Sequence, residues 1–174
     1  MSNKRPHSLP RPRLLLPLSL GLTLLAGSAL WTPARAQTAD HAAVFNNNCS
    51  MCHQLAAAGV PGEFPRLAGR AGKIAAAAAG RSYLERVVLF GMIGQVTVDG
   101  TPIVGGVMPS FGSLSDQDLA DALNYIVSLD GSGKLQWKGA VFKPADLAKA
   151  RADKPLSPAQ VHQLRAAATA GAGS

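Results

Sequence analysis

The pair Cys49 and Cys52, followed at once by His53, constrains this chain more than any other feature. These are the only two cysteines of the sequence, and they stand three positions apart in the string CSMCH. Such a pair of thiols has four common uses: a disulfide, a dithiol redox pair, part of a zinc site, or covalent attachment of haem. The rest of the sequence has to decide among them.

Three of these uses leave something unexplained. A disulfide across so short a loop removes little entropy from the unfolded chain and gives His53 no role. A thioredoxin-like pair needs a strand-to-helix junction, and no strand is predicted before Cys49. Structural zinc needs about four ligands, whereas His41 and His162 stand in weakly specified positions that indicate surface residues.

Covalent haem attachment uses every residue of the motif. The two thiols add to the vinyl groups of haem, and the adjoining His53 is then held directly beneath the iron. Met51, between the cysteines, cannot reach round to that iron. The motif needs context, namely export from the cytoplasm and a second iron ligand further along the chain.

The amino terminus supplies the first part of that context. Four basic residues precede position 14, an apolar run covers residues 14–31, and Ala34 and Ala36 form a small-x-small pattern. These features predict a cleavable secretory signal peptide over residues 1–36 and a periplasmic mature chain that starts near Gln37. An uncleaved membrane anchor is the alternative, because the apolar run approaches the length that spans a bilayer.

The charge of the chain changes once that segment is removed. The net charge of +7 comes from 17 basic and 10 acidic residues. Five of the basic residues precede Gln37, which leaves 12 against 10 and a net charge of +2. So small an excess, with no basic stripe and no stacking aromatics, argues against a nucleic-acid partner.

The remaining charge is divided unevenly and indicates two regions. Residues 37–133 hold five basic and eight acidic residues, whereas residues 134–174 hold seven and two. We therefore predict a domain over residues 37–133 and a basic Ala/Lys-rich extension over residues 134–174. The positive charge of the extension either steers an acidic partner or solvates a poorly packed tail, and the second interpretation is the simpler one.

Local patterns predict mostly helices. A helix leads into the cysteines with Val44 and Phe45 facing inward, and the Pro- and Gly-rich residues 59–72 form an ordered loop. The Asp99-Gly100 dipeptide between β-prone runs predicts a hairpin. Helical spacing predicts two further helices, over Ser82 to Met92 and over Ser115 to Leu129, and Asp118 completes a capping box at the start of the second. In the extension, one helix is expected to begin at Pro144. Another is expected to begin at Ser157, with Gln160 in the capping-box position. The extension is expected to form one or two short helices lying on the main domain, whereas residues 168–174 have nothing to pack against and are expected to be disordered.

The second iron ligand is sought among the methionines. Met92 falls at the end of an amphipathic helix, where packing in the core explains it. Met108 precedes Pro109 in the Gly-rich stretch GGVMPSFG, and the proline fixes the backbone beside it. We therefore expect Met108, rather than Met92, to bind the iron.

At this point the motifs match a known family. Residues 38–131 resemble the small monohaem class I cytochromes c in FNNNCSMCHQL, FPRLAG and GVMPSFGSLSDQDLADALNYIVSL. They are most similar to a bacterial periplasmic branch in which a hairpin, here GMIGQVTVDG, precedes the methionine. The resemblance implies an all-α cytochrome c fold around one covalent haem c, with a short β-hairpin flap and a helical C-terminal extension.

The resemblance also implies roles for individual residues. Cys49 and Cys52 would form the thioethers, and His53 and Met108 would be the axial ligands. Pro65 would accept a hydrogen bond from the second ring nitrogen of His53 and raise the basicity of the ring. Phe45 is expected near Tyr125. Four residues are expected at the haem edge, Phe64, Leu67, Phe111 and Leu114, while Arg66, Arg70 and Tyr83 are all candidates for the propionates.

These expectations describe an electron carrier rather than an enzyme. Iron with both axial positions filled neither binds nor activates oxygen, and a thioether ligand raises its reduction potential. The partners would be redox proteins whose identity the sequence does not reveal, and the chain could serve as the cytochrome subunit of a dehydrogenase or respiratory reductase or oxidase chain. The alternative is a five-coordinate haem protein with small-ligand binding or peroxidase-like activity, but no distal histidine stands near GGVMPSF.

Overall fold

The computed structural model describes residues 34–138 and 141–170, so most of the predicted signal segment lies outside the described residues. Within them lie seven α-helices and two two-stranded antiparallel sheets. The helices are α1 (Ala34–Asn48), α2 (Ser50–His53), α3 (Ala71–Ala75), α4 (Ala78–Phe90), α5 (Asp116–Val127), α6 (Pro144–Ala152) and α7 (Pro158–Thr169). The strands are β1 (Met92–Ile93), β2 (Val96–Val98), β3 (Thr101–Ile103) and β4 (Val107–Met108).

Helices α1 and α5 pack against each other at the centre of the fold. Phe45 of α1 is 1% exposed, and its ring centroid lies 5.1 Å from that of Tyr125 on α5, which confirms the expected contact between them. Val44 is only half-buried, so the prediction that both residues face inward holds fully for Phe45 alone.

Helix α5 begins as its sequence predicts but is capped differently. The backbone N–H of Asp118 donates to Oγ of Ser115 at 3.1 Å, which is the expected N-cap. The Ser115 hydroxyl in turn donates to the Asp118 carboxylate at 2.7 Å. That carboxylate therefore binds the cap side chain rather than the cap backbone, and the predicted capping box is only half formed.

The positions of Met92 and Met108 in the fold differ from the expected ones. Helix α4 ends at Phe90, so Met92 lies in β1 and not in a helix. Met108 lies in β4 rather than in a free loop, and it is paired directly with Met92 in the register of the two strands. The predicted hairpin is present as β2 and β3, and Asp99 and Gly100 adopt positive φ of 51° and 77° at its turn.

The C-terminal extension is packed, which confirms the expected helices lying on the main domain and corrects the interpretation of its charge as that of a poorly packed tail. Leu147 of α6 and Val161 of α7 are fully buried. Helix α6 lies against α4 and α5, and α7 lies against α4 and β1. The predicted capping box of Ser157 and Gln160 is formed. Helix α7 continues to Thr169 and buries Ala168, so the expected disorder does not begin at 168; residues 171–174 lie outside the described part.

Polar contacts fix the extension to α5. Asn124 is 2% exposed, accepts from the backbone N–H groups of Val141 and Phe142 at 2.8 and 2.9 Å, and donates to the Phe142 carbonyl at 2.8 Å. Arg151 donates to the Asp116 carboxylate at 2.9 Å and to the Leu114 carbonyl at 3.1 Å. The extension therefore satisfies buried polar groups that α5 would otherwise leave unpaired.

His41 is the other residue whose environment differs from the prediction. Its side chain is 11% exposed, stacks on Trp137 with ring centroids 4.8 Å apart, and approaches Asp121 at 2.7 Å. It is therefore an interior residue between α1, α5 and the start of the extension.

Among the described residues, no helix combines the length and the apolar character needed to cross a bilayer.

Candidate functional site

One cavity brings most of the candidate residues together. It encloses about 830 Å³ of space between the atoms, part of which is open to solvent at its mouth. Its walls come from α1, α3, α4, α5, α7, the proline loop (residues 59–72), the hairpin, β1 and β4, and they are mostly apolar. The apolar lining consists of Phe45, Leu67, Ala71, Ile74, Leu84, Val87, Val88, Val96, Val98, Ala122, Leu123 and Ile126.

The cysteine motif folds as the short helix α2 at one side of this cavity. The backbone N–H of His53 donates to the Cys49 carbonyl at 3.0 Å, so the motif closes one helical turn. Cys49 lines the cavity, Cys52 is half-buried outside its lining, and neither is in a disulfide. Burial, together with the neighbouring Cys52, raises the pKa of the Cys49 thiol to about 11. Met51 is 85% exposed and points away, as expected.

His53 is held in one orientation. Its Nδ1 lies 3.0 Å from the carbonyl oxygen of Pro65. Because a carbonyl oxygen only accepts, Nδ1 carries the proton and Nε2 holds the lone pair. Burial lowers the pKa of His53 despite the opposing hydrogen bond to Pro65, so the ring is neutral at neutral pH. The chain therefore presents an oriented imidazole nitrogen that is ready to bind a metal.

The proline loop reaches His53 because a glycine lets it approach. Gly59 has φ of +67°, and its N–H donates to the His53 carbonyl at 2.8 Å. A Cβ at this position would lie 2.6 Å from the Phe64 carbonyl oxygen and 2.7 Å from the Pro65 carbonyl carbon. Only glycine therefore permits both this backbone conformation and this closeness to the loop.

Two methionines border the cavity, and their surroundings differ. Met92 and Met108 both line it. The Tyr83 hydroxyl donates to Sδ of Met92 at 3.3 Å, and both residues are buried. This contact holds the Met92 sulfur against α4. Met108 is half-buried at the end of β4.

Three basic residues line the cavity. Arg66 donates two hydrogen bonds to the Asp99 carboxylate at 2.8 and 3.0 Å, and Arg70 donates one at 3.1 Å. The hydrogen bond from Arg66 is the main reason that the pKa of Asp99 is lowered. Asp99 thus joins the tip of the hairpin to the proline loop. Arg165 of α7 also lines the cavity.

The structure therefore gathers most, but not all, of the expected residues. Cys49, His53, Pro65 and Met108 line the cavity, as does Leu67. Phe64 lines a separate pocket with Pro61 instead. Phe111 and Leu114 pack on the core and are not among the residues that line the cavity, so the expected contact of these three residues with the haem edge stays a prediction.

Arg165 is the lining residue that the sequence did not predict. It stands four positions after the buried Val161 in a capped helix, which puts both on one face. That spacing was the available indication, but the sequence did not predict which part of the main domain α7 contacts.

These residues fit a haem. The long apolar walls suit the faces of a porphyrin, and an oriented imidazole and thioether sulfurs are known axial ligands of haem iron. Cys49, at the N-cap of α2, and Cys52 within α2 would hold the group through its vinyl substituents. The arginines beside the hairpin suit its carboxylates, because buried charges require partners.

Comparison with known proteins points to the same cofactor. Residues 39–130 match the family described as Cytochrome c. A cytochrome c-552 of Thermus thermophilus is 41% identical over 139 residues, which cover 80% of this chain and 91% of that protein. A second Thermus thermophilus cytochrome c-552 is 41% identical over 123 residues, covering 71% of this chain and 92% of that protein.

Proposed function

The chain belongs to the cytochrome c family and is an electron-transfer protein with covalently bound haem c; we propose that His53 and Met108 ligate the iron and that the protein works in the periplasm. The observation that carries this proposal is the convergence of Cys49, His53 and Met108 on one apolar cavity. When bound, haem c supplies an iron that changes charge by one electron.

The hydrogen bonds made by His53 and Met92 support His53 and Met108 as the axial ligands. The Pro65 carbonyl fixes the proton of His53 on Nδ1, which leaves Nε2 for the metal and makes it more basic. The sulfur of Met92 accepts from the Tyr83 hydroxyl, which draws it toward α4. Met108 is therefore the better candidate for the sixth position of the iron.

The walls of the cavity favour electron transfer over ligand chemistry. They are mostly apolar, and an apolar environment disfavours the additional positive charge of the oxidised iron. His53 is the sole histidine in the lining, since His41 and His162 both lie elsewhere in the described structure. The distal acid–base group that peroxide chemistry uses thus has no counterpart among the lining histidines.

Carbon monoxide distinguishes this function from that of a five-coordinate haem protein. With both axial positions filled, the reduced native protein should show no change in its absorption spectrum under carbon monoxide. A five-coordinate haem would bind the gas at once and shift the spectrum. Prompt, complete binding by the native protein would exclude the proposed ligation while leaving haem attachment intact.

The periplasmic location rests on the amino-terminal sequence. Residues 1–36 combine a basic start, an apolar run and the Ala34-x-Ala36 pattern that a signal peptidase cleaves. N-terminal sequencing of the haem-loaded protein from its native host should find a chain that starts near Gln37. Recovery of the intact amino terminus in the membrane fraction would instead indicate an uncleaved anchor.

The proposed function indicates the class of the redox partners but not their identity. Donor and acceptor would be other redox proteins, and the chain would act either as a free carrier or as the cytochrome subunit of a dehydrogenase or respiratory reductase or oxidase chain. Nucleic acid is not a proposed partner, because the charge of the predicted mature chain is only +2.

A further inference from the structure

Helix α7 of the C-terminal extension forms part of the haem cavity. It lies against α4 and β1, with Val161 fully buried and Ala168 5% exposed. Arg165 stands between these two residues on the same side of the helix, which directs its side chain inward. The extension is therefore connected to the cavity as well as to the outer surface of the domain.

Contacts of α7 with the hairpin place the guanidinium of Arg165 at the edge of the cavity. Its Nη2 donates to the Thr97 carbonyl at 3.0 Å. Arg165 and Arg70 line both the apolar cavity and an open groove between α7 and β2. These two residues thus mark the place where the cavity meets the surface, and both present positive charge there.

The basic residues at this edge differ in whether an acidic side chain forms an ion pair with them. Arg66 and Arg70 share the carboxylate of Asp99. Among residues 34–138 and 141–170, no acidic side chain forms an ion pair with Arg165. Arg165 therefore faces the cavity with a charge that the described chain leaves unbalanced.

Haem carries its propionate carboxylates along one edge, and apart from the arginines, His53 and Tyr83 the lining of this cavity is apolar. A carboxylate taken from water into apolar surroundings is stabilised only by a charged or hydrogen-bonding partner. A planar guanidinium is well suited to bind a carboxylate through paired hydrogen bonds.

We propose that Arg165 binds a haem propionate, so that the C-terminal extension supplies one residue of the haem site and sets the charge beside the cofactor. The proposal rests on haem occupying the cavity as described above. The guanidinium keeps that propionate ionised and, as a positive charge near the iron, favours the reduced state.

Replacement of Arg165 tests this role. Arg165→Gln should lower the midpoint potential when the propionate is ionised, because a positive charge is lost. The propionate pKa should also rise, so that the potential of the variant climbs as the pH falls through the mildly acidic range, where that of the wild type stays flatter. Arg165→Lys should restore most of both properties, since it keeps the charge.

His162→Gln is the matched control. His162 lies on the same helix and also bonds to a backbone carbonyl near β2, that of Gln95 at 2.7 Å, but it does not line the cavity. This variant should keep the potential of the wild type and its pH dependence. If it shifts both as Arg165→Gln does, or if Arg165→Gln changes neither, the proposal is wrong.

Two further measurements separate the role of Arg165 from the axial ligation and from a failure of the variant to fold. The sulfur-to-iron charge-transfer band of the ferric protein should persist in all three variants, and its absence from the wild type would contradict the axial ligation rather than the role of Arg165. Should Arg165→Gln not fold, the propionate bending modes in resonance Raman spectra of the wild type and Arg165→Lys give a second measure. Modes that titrate alike in solvent-exposed haem and in the wild type would refute the ion pair.

Discussion

Nδ1 of His53 lies 3.0 Å from the carbonyl oxygen of Pro65, so the imidazole is fixed by the backbone of a loop twelve residues further along the chain. The carbonyl can accept only, and it therefore determines which ring nitrogen keeps the proton. An acceptor on this side makes the other nitrogen a stronger donor to a metal. The position of the proline loop thus controls the electronic character of the proposed proximal ligand.

Gly59→Ala should disturb this contact. The added Cβ would meet the backbone of Phe64 and Pro65 at 2.6–2.7 Å, and the φ of +67° disfavours any side chain. Such backbone strain typically costs about 1–3 kcal/mol, and we expect the free energy of unfolding to fall by that much or more. As the Pro65 carbonyl moves away, His53 becomes a weaker donor and the midpoint potential rises. Chemical denaturation and voltammetry measure the two effects.

Gly62→Ala separates strain from displacement in the same loop. Gly62 has φ of +81°, but a Cβ there meets no atom within 4 Å. This variant should lose some stability and keep the potential of the wild type. Equal shifts of potential in the two variants would show that the closeness of Gly59 to Pro65 does not govern the His53 contact.

Gly91 stands in the same relation to Met108. Its φ of 74° and ψ of −178° lie in a region that essentially only glycine adopts, and a Cβ would lie 2.6 Å from the Met108 carbonyl oxygen. Gly91→Ala should displace β4 and weaken or abolish the sulfur-to-iron charge-transfer band. Gly105→Ala, with φ of +71° and open space around it, should keep the band. An unchanged band in Gly91→Ala would mean that Met108 tolerates the shift or is not the ligand.

The ion pairs of Asp99 predict a pH dependence. Hydrogen bonding to Arg66 lowers the pKa of this carboxyl, and the side chain is 44% exposed. A lowered pKa stabilises the folded state above the ordinary value of 3.8, and this stabilisation is lost as the pH falls through the folded pKa. Asp99→Asn should therefore cost below about 1 kcal/mol at neutral pH. The difference from the wild type should vanish in acid and shrink in high salt, as measured by denaturation at several pH values; a difference that stays constant with pH would contradict this account.

Local sequence was enough to predict the parts of the site that depend on neighbouring residues. CSMCH closes a single helical turn, so Cys49 and His53 are fixed relative to each other by chain geometry. The hairpin turn at Asp99-Gly100 and the start of α5 at Ser115 likewise follow from conformations and caps that single residues favour. The resemblance to a known family added Pro65, which no local pattern links to His53.

The remainder depended on contacts between distant segments. The strands that pair Met92 with Met108 are two residues long, too short for periodicity to reveal. Arg165 borders the cavity only because α7 packs on α4, and a helix rich in alanine gives little indication of its partner. His41 was expected at the surface because its burial requires Trp137 from the extension. Each difference is a case of tertiary packing deciding what local preference leaves open.

The central claim is that the Met108 sulfur fills the sixth position of the haem iron, and paired substitutions test it directly. Met108→Leu and Met92→Leu remove one sulfur each at similar side-chain volume, and such exchanges are tolerated well in a core. In the ferric protein, the sulfur-to-iron charge-transfer band should be absent from Met108→Leu and present in Met92→Leu. A band that survives in Met108→Leu and is lost in Met92→Leu would contradict the account.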